Sequence, residues 1–138
     1  MGDYAVRMQF DIDADPGTIM KALTTTDGLE QWWSRPVEGS PGEDGGEFRI
    51  SFPSVPQPFE FSVHREGDRG VTWKTLAFPP WWTDTTIHWQ VDDREDGPGS
   101  QLHFTHDGFD PDNAIIPVVT PGWAKFLFAL VEHLEADG

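Results

Sequence analysis

The carboxyl-terminal stretch Thr120–Leu134, TPGWAKFLFALVEHL, has the strongest helical pattern in the chain. Its apolar residues recur at the i, i+3, i+4 and i+7 spacing that places them on one helix face. These residues are Trp123, Phe126, Leu127, Leu130, Val131 and Leu134. Thr120 before Pro121 matches the N-cap and first-turn proline that begin many helices. The sequence therefore predicts a long helix from Thr120 whose apolar face must be buried against another element.

The chain before this helix alternates apolar and polar residues with the two-residue period of a β-strand. The alternation is strictest at residues 4–12, where every second residue from Tyr4 to Ile12 is apolar. Five more strands are predicted, separated by turns rich in glycine, proline and charge. They lie at about 47–52, 59–63, 71–78, 83–93 and 102–106.

Two short helices are predicted between the first two of these strands. Asp15-Pro16 has the pattern of an N-cap and a first-turn proline, so one helix should cover about 16–25. A second should begin at Thr26 or Asp27 and contain Trp32-Trp33.

A sheet of about six antiparallel strands with the long helix on its concave face would bury both apolar surfaces. We therefore expect an α+β fold, with residues 1–138 in one domain.

The charge of the chain excludes several classes of partner. Its 138 residues include 9 Lys+Arg and 24 Asp+Glu, a net charge of −15. No stripe of basic residues is present, so we expect no nucleic-acid partner and no attraction to an anionic membrane.

No apolar run approaches the ~20 residues that span a bilayer, so membrane insertion is not expected. The first residues, MGDYAVRMQFDIDADP, lack a secretory signal pattern, and we expect a cytoplasmic protein.

The absence of cysteine excludes another set of chemistries. With no Cys in the chain, disulfides, thiol catalysis, thiolate metal sites and iron–sulfur clusters are ruled out. Gly45-Gly46 precedes a strand and is followed by no lysine, so it does not form a phosphate-binding loop. We expect no cofactor.

Six stretches of the chain match a known family. They are Ile12-Asp13-Ala14-Asp15-Pro16, Leu29-Glu30-Gln31-Trp32-Trp33, Gly45-Gly46-Glu47-Phe48, Thr86-Ile87-His88-Trp89, His106-Asp107-Gly108-Phe109 and Gly122-Trp123. Together they resemble the activator of Hsp90 ATPase family, within the SRPBCC superfamily that includes START lipid-transfer domains and birch-pollen allergens. The resemblance implies the helix-grip fold, a curved sheet wrapped around the long C-terminal helix. It also implies a cavity between that helix and the sheet, usually for an apolar or amphipathic small molecule.

The residues predicted to bind that molecule are large side chains on the inward face, because flat rings are hard to close-pack and are common in ligand pockets. An enclosed cavity of roughly 300–1,000 Å³ is expected. The predicted ligand-binding residues are Trp32, Phe52, Phe59, Phe61, Trp73, Thr85, Trp89, Phe104, His106, Trp123 and Phe126.

His106 is the candidate catalytic residue, because a polar ring on an apolar strand face could act as a general base or bind a ligand carbonyl. The alternative is a buried histidine bonded to the backbone or to a neighbouring strand. Thr85 has two similar interpretations, a donor to a ligand head group or a strand residue with a satisfied hydroxyl. His103 and His106 do not predict a metal site, since strand residues three apart point to opposite faces.

Three functions remain open from the sequence. The first is a small-molecule-binding protein, and the second is a cyclase- or hydrolase-type enzyme that uses His106 with Thr85 or Asp107. The third is a module that binds a chaperone, as the family name suggests. A weak homodimer is a further expectation, because Trp81-Trp82 could form a dimer contact, a ligand gate or a cap on the core.

Overall fold

The computed structural model describes residues 2–136, and its strands and helices follow the predicted order with one strand and one short turn added. The strands are β1 (Tyr4–Ile12), β2 (Val37–Gly39), β3 (Glu47–Ile50), β4 (Phe59–Arg65), β5 (Gly70–Thr75), β6 (Thr86–Asp93) and β7 (Ser100–Phe109). The helices are α1 (Pro16–Thr24), α2 (Thr26–Trp32) and α3 (Ile116–Ala136), with a 3-10 turn at Pro80–Trp82.

The seven strands form one antiparallel sheet in the order β1-β7-β6-β5-β4-β3-β2. β1 pairs with β7 from Tyr4, opposite Phe109, to Ile12, opposite Ser100. The concave face of the sheet is covered by α3, whose buried residues are Val119, Trp123, Leu127, Leu130 and Leu134. This α+β arrangement is the helix-grip fold that the sequence predicted.

The sheet has seven strands and not about six, because β2 was not predicted. Val37–Gly39 lie in a segment whose glycines and prolines are typical of turns. The strand has three residues and pairs with β3 through Val37 opposite Ile50. A strand this short has no alternation long enough to detect, and its pairing depends on β3 being in place.

The long helix begins earlier than predicted, at Ile116, and Pro121 lies inside it. Thr120 is therefore not an N-cap, and its hydroxyl donates to the Ile116 carbonyl at 2.9 Å. The extra turn forms where the Asn113 side chain accepts from the Ile115 N–H at 2.9 Å. Pro121 is the sixth residue of this helix, so its missing N–H leaves the Pro117 carbonyl without its i+4 donor, a single bond lost in the second turn.

The start of β6 also differs from the prediction. The strand begins at Thr86 and not at Thr83, because Pro80–Trp82 forms the 3-10 turn. The Thr83 N–H donates to the Pro80 carbonyl at 3.2 Å. Asp84 has a φ of 64°, in the left-handed region, which reverses the chain before the strand. This turn places Thr85 at the inner end of β6, beside β7.

The two short helices begin at Pro16 and Thr26, as predicted, and each has a side-chain cap. The Thr18 N–H donates to the Asp15 carboxylate at 2.7 Å, and the Gly28 N–H donates to the Thr25 hydroxyl at 2.9 Å. The bond from Thr18 stabilises the charged form and holds the pKa of Asp15 below its ordinary value. Of the helices in residues 2–136, none is long and apolar enough to cross a membrane.

Candidate functional site

An apolar pocket of about 230 Å³ lies where the first half of α3 meets the rim of the sheet. Its walls come from α3, from the proline-rich loop at 51–58 and from the 3-10 turn. The lining residues are Trp33, Phe52, Ser54, Val55, Phe59, Trp81, Trp82, Ile115, Val118, Val119, Gly122, Trp123 and Phe126. Among these described residues none is acidic or basic, and Ser54 has the only side-chain hydroxyl.

Aromatic rings form most of the pocket wall and contact one another. Phe52 lies 4.6 Å from Phe59, and Phe59 lies 5.1 Å from Trp82, measured between ring centroids. Trp82 and Trp123 are stacked at 5.8 Å with an 18° angle between their planes. These separations are those of favourable aromatic pairs, so the rings stabilise one another in the wall.

The pocket opens to solvent at an apolar rim. Trp81 is 42% exposed and Val118 is 64% exposed, and both line the opening. Large apolar side chains at this exposure mark binding surfaces when they are grouped around a concavity. The site is therefore an open pocket, smaller than the enclosed cavity of roughly 300–1,000 Å³ that was expected.

The deeper inward rings fill the space between sheet and helix. Trp33 is stacked on Trp73 at 5.5 Å, and Trp73 lies 5.4 Å from Trp89. Trp89 continues to Phe104 at 4.9 Å, and Phe104 to Trp123 at 4.7 Å. This continuous aromatic core accounts for most of the tryptophans in so acidic a chain.

Four of the predicted ligand-binding residues, Phe52, Phe59, Trp123 and Phe126, line the pocket. The other seven do not line it, and are buried in the core or at its inner end. They are Trp32, Phe61, Trp73, Thr85, Trp89, Phe104 and His106.

The Trp32-Trp33 pair divides between the pocket wall and the core. Trp33 lines the pocket, whereas the indole N–H of Trp32 donates to the Ala22 carbonyl at 3.0 Å inside the core. Successive residues on a helix differ in direction by about 100°, and the sequence alone does not choose between them. The pair at Trp81-Trp82 divides as well, with Trp81 at the rim and Trp82 buried in the wall.

Behind the pocket, His106 is fully buried in a closed hydrogen-bond network. Its Nδ1 accepts from the Trp123 indole N–H at 2.9 Å, and its Nε2 lies 2.9 Å from the Thr85 hydroxyl. The Thr85 hydroxyl donates to the Trp82 carbonyl at 2.6 Å and lies 3.3 Å from the Thr75 hydroxyl. The network joins α3, the 3-10 turn, β5, β7 and the residue that precedes β6.

The partners of His106 determine its tautomer and its charge. Because an indole can only donate, Nδ1 is unprotonated and Nε2 has the proton, which it donates to Thr85. Burial, together with a smaller electrostatic effect of His88, lowers the pKa of His106 to about 3. His106 is therefore neutral, and its basic nitrogen is already occupied.

The network is separated from the pocket by two indole rings. Trp82 contacts the His106 ring edge-on at 4.7 Å, and both Trp82 and Trp123 line the pocket. For His106 to act as a base, a substrate would have to displace Trp82 and replace the Trp123 N–H. The arrangement fits the alternative interpretation of His106, a histidine satisfied by its neighbours.

The two histidines of the HxxH spacing lie on opposite faces of β7, as strand geometry requires. His103 is on the outer face, with its Nε2 3.2 Å from the Asp92 carboxylate. Within residues 2–136, no group of three or more acidic or histidine side chains is placed to hold a metal ion.

Comparisons with solved structures place this chain among similar proteins. A solution structure of the Aha1 dimer from Colwellia psychrerythraea has 28% identity and a TM-score of 0.83, covering 96% of each chain. A crystal structure of the protein MLL2253 from Mesorhizobium loti has 20% identity and a TM-score of 0.82, covering 98% of this chain and 99% of that one.

A third similar structure is longer than this chain. It is DynU16, described as a putative protein in the dynemicin biosynthetic locus, with 19% identity and a TM-score of 0.77. The match covers 96% of this chain and 48% of that one. The two matches at or below 20% identity show the fold alone. No curated protein sequence matches this chain.

The sequence profile described as "Activator of Hsp90 ATPase homolog 1-like protein" matches residues 13–135. The matched region begins at the end of β1 and reaches the end of α3, so it includes the pocket and the His106 network. The chain belongs to the activator of Hsp90 ATPase homolog 1-like family.

Proposed function

We propose that this protein binds an apolar or amphipathic small molecule in the pocket between α3 and the sheet rim. The observation that supports this most is the combination of a ring-walled apolar pocket with exposed Trp81 and Val118 at its opening. Exposed apolar surface of this kind is unfavourable in water unless something covers it. The family membership agrees with this proposal, because the SRPBCC-type fold is one that holds ligands.

The shape of the pocket favours an amphipathic ligand. Its inner walls offer rings and aliphatic side chains, so an apolar group is preferred inside. A polar group buried there would find few partners, and that would cost about 1–3 kcal/mol for each unpaired group. Because the pocket opens to solvent, a polar head group can remain in water while the apolar part is enclosed.

Native mass spectrometry of freshly purified protein tests this proposal. We expect a fraction of the molecules to have an additional small mass that is lost after extraction with organic solvent. The extracted protein should then bind the amphipathic dye ANS with saturation at one site. Absence of a bound mass together with absence of saturable dye binding would contradict the proposal.

Binding to a chaperone is a second candidate, favoured by the family that the chain belongs to. The net charge of −15 would attract a basic surface on a partner, with an association rate that falls as salt is added. A pull-down with an Hsp90-type chaperone at low salt tests this candidate. Retention of the chaperone that weakens with salt would support it, and no retention at low salt would exclude it.

We also propose that the chain self-associates as a weak homodimer. Support comes from the Colwellia psychrerythraea relative at 28% identity, whose solution structure is that of a dimer. Sedimentation velocity over a range of protein concentrations tests the proposal. A sedimentation coefficient that rises with concentration is expected, and a constant monomer value would contradict it.

A further inference from the structure

We propose that two copies of this chain pair through the free edge of β1, antiparallel and centred on Gln9. This inference rests on the self-association proposed above and identifies the surface that forms it. β1 is an end strand of the sheet, and in residues 2–136 no strand pairs with its outer side. It has nine residues, whereas the opposite end strand, β2, has three. A long unpaired edge presents backbone donors and acceptors to another strand.

The charges along β1 are complementary to a second copy of the same strand. Arg7, Gln9 and Asp11 are exposed and alternate with the inward residues, so they share the outer face. In an antiparallel pair centred on Gln9, Arg7 of each copy lies opposite Asp11 of the other. Opposite charges that face each other across an antiparallel pair attract. The symmetric arrangement forms this pair twice.

The neighbouring registers are less favourable. The apolar faces of the two copies must lie on the same side of the joined sheet. Allowed alignments of the two strands therefore differ by two residues, which moves the centre of symmetry by one residue. A centre at Met8 places Arg7 opposite Gln9, and a centre at Arg7 places two arginines face to face. A centre at Phe10 places Arg7 opposite Asp13, whose carboxylate already lies 3.6 Å from the Arg94 guanidinium, whereas the Asp11 carboxylate accepts from the neutral Gln101 amide at 3.1 Å. Only the centre at Gln9 pairs Arg7 with Asp11.

Apolar side chains beside this edge would be covered by the same pairing. On the inner face, the centre at Gln9 places Met8 of each copy opposite Phe10 of the other. Phe10 contacts Phe128 of α3, with ring centroids 5.6 Å apart, and Phe128 is 60% exposed. A second copy docked along β1 would remove Met8, Phe10 and Phe128 from water, which accounts for a large exposed ring on α3.

A charge-exchange series tests this surface. Dimerisation is measured by sedimentation equilibrium at about 0.15 M salt, where long-range repulsion between two acidic chains is screened. The variants are Arg7→Asp, Asp11→Arg, the double exchange Arg7→Asp with Asp11→Arg, and Trp81→Ala at the pocket rim. Both exchanged residues are exposed, and circular dichroism confirms that each variant is folded.

We expect each single exchange to raise the dimer dissociation constant about tenfold or more, because it replaces two attractions with two repulsions. The double exchange should return the constant to within about threefold of the wild-type value. A dimer that is insensitive to the exchanges overturns the β1 surface, and its loss on Trp81→Ala would place the contact at the pocket rim. A monomeric wild type overturns the self-association itself.

Discussion

At the scale of single residues, His106 is the centre of the polar chemistry inside this protein. It contacts Trp123, Thr85 and Trp82, which come from different parts of the chain. Each hydrogen of the network has an acceptor, which is the condition under which a buried polar group stabilises a fold. The consequence is a neutral imidazole that fixes the position of the Trp123 ring in the pocket wall.

The burial of His106 predicts an acid-sensitive stability. Its pKa is about 3 in the folded protein, below the ordinary value of 6.5 that applies when unfolded. The unfolded chain therefore binds a proton before the folded chain does, so this contribution is complete above pH 6.5 and is lost as the pH falls. Between about pH 7.5 and about pH 5, the free energy of unfolding of the wild type should fall by about 2 kcal/mol more than that of His106→Gln.

The measurement is the free energy of unfolding in urea at several pH values, for the wild type and for His106→Gln. His106→Gln should have a lower free energy of unfolding than the wild type at every pH. The informative quantity is how much less steeply that free energy falls with decreasing pH in the variant. Parallel pH profiles for the two proteins would mean that His106 is protonated in the folded state, contrary to the closed network.

At the scale of elements, the end of β7 passes unusually close to the turn before β6. Gly108 has a φ of 101°, and a Cβ built there would lie 2.5 Å from the Asp84 carbonyl oxygen. Only glycine combines this backbone conformation with so close an approach. The contact brings Thr85 beside His106, two residues before Gly108, and so positions the network behind the pocket.

Substitution of Gly108 tests the importance of this approach. Gly108→Ala should destabilise the protein by about 1–3 kcal/mol more than Gly67→Ala, measured by chemical denaturation. Gly67 is the matched control, because it also has a positive φ, 77°, but has open space around its Cβ position. Equal losses in the two variants would show that the backbone conformation matters and that the contact with Asp84 does not.

Much of the element order could be predicted because it depends on local periodicity. The alternation at 83–93 placed Thr85 and Trp89 on the inner face, and both are buried. Features that depend on distant partners could not be predicted in this way. The choice of Trp33 over Trp32 for the pocket wall depends on α2 docking, and the Trp123–His106 bond joins residues 17 apart in sequence.

At the scale of the whole molecule, the acidic surface and the aromatic core have separate effects. The net charge of −15 lies mostly on turns and outward positions, and it repels itself in the folded state. The rings form a continuous core that ends in the pocket. Charge therefore governs solubility and association and lowers stability through self-repulsion, while the rings form the core packing and the shape of the pocket.

The acidic surface predicts a stability that increases with salt. Raising the salt from about 0.01 M to about 0.5 M shortens the Debye length from about 30 Å to a few ångströms and screens the repulsion. The melting temperature should rise by a few degrees in differential scanning calorimetry. Replacing the exposed residues Asp68 and Glu95 with their amides removes two negative charges and should reduce that rise. A melting temperature that is constant or falls with salt would contradict this account.

The central claim, that the apolar pocket binds a small molecule, has a direct test at Gly122. This residue lines the pocket inside α3, and a Cβ built there meets no atom within 4 Å. The Cβ of Gly122→Leu therefore has open space, its side chain should extend into the pocket, and the change replaces a poor helix former with a good one. Ala129→Leu, at an exposed position on the same helix, is the control.

The measurement is the affinity of ANS for the solvent-extracted protein, from a fluorescence titration of the wild type and the two variants. The account predicts that Gly122→Leu weakens binding about tenfold or more, while Ala129→Leu binds as the wild type does. An unchanged affinity in a folded Gly122→Leu protein would contradict it.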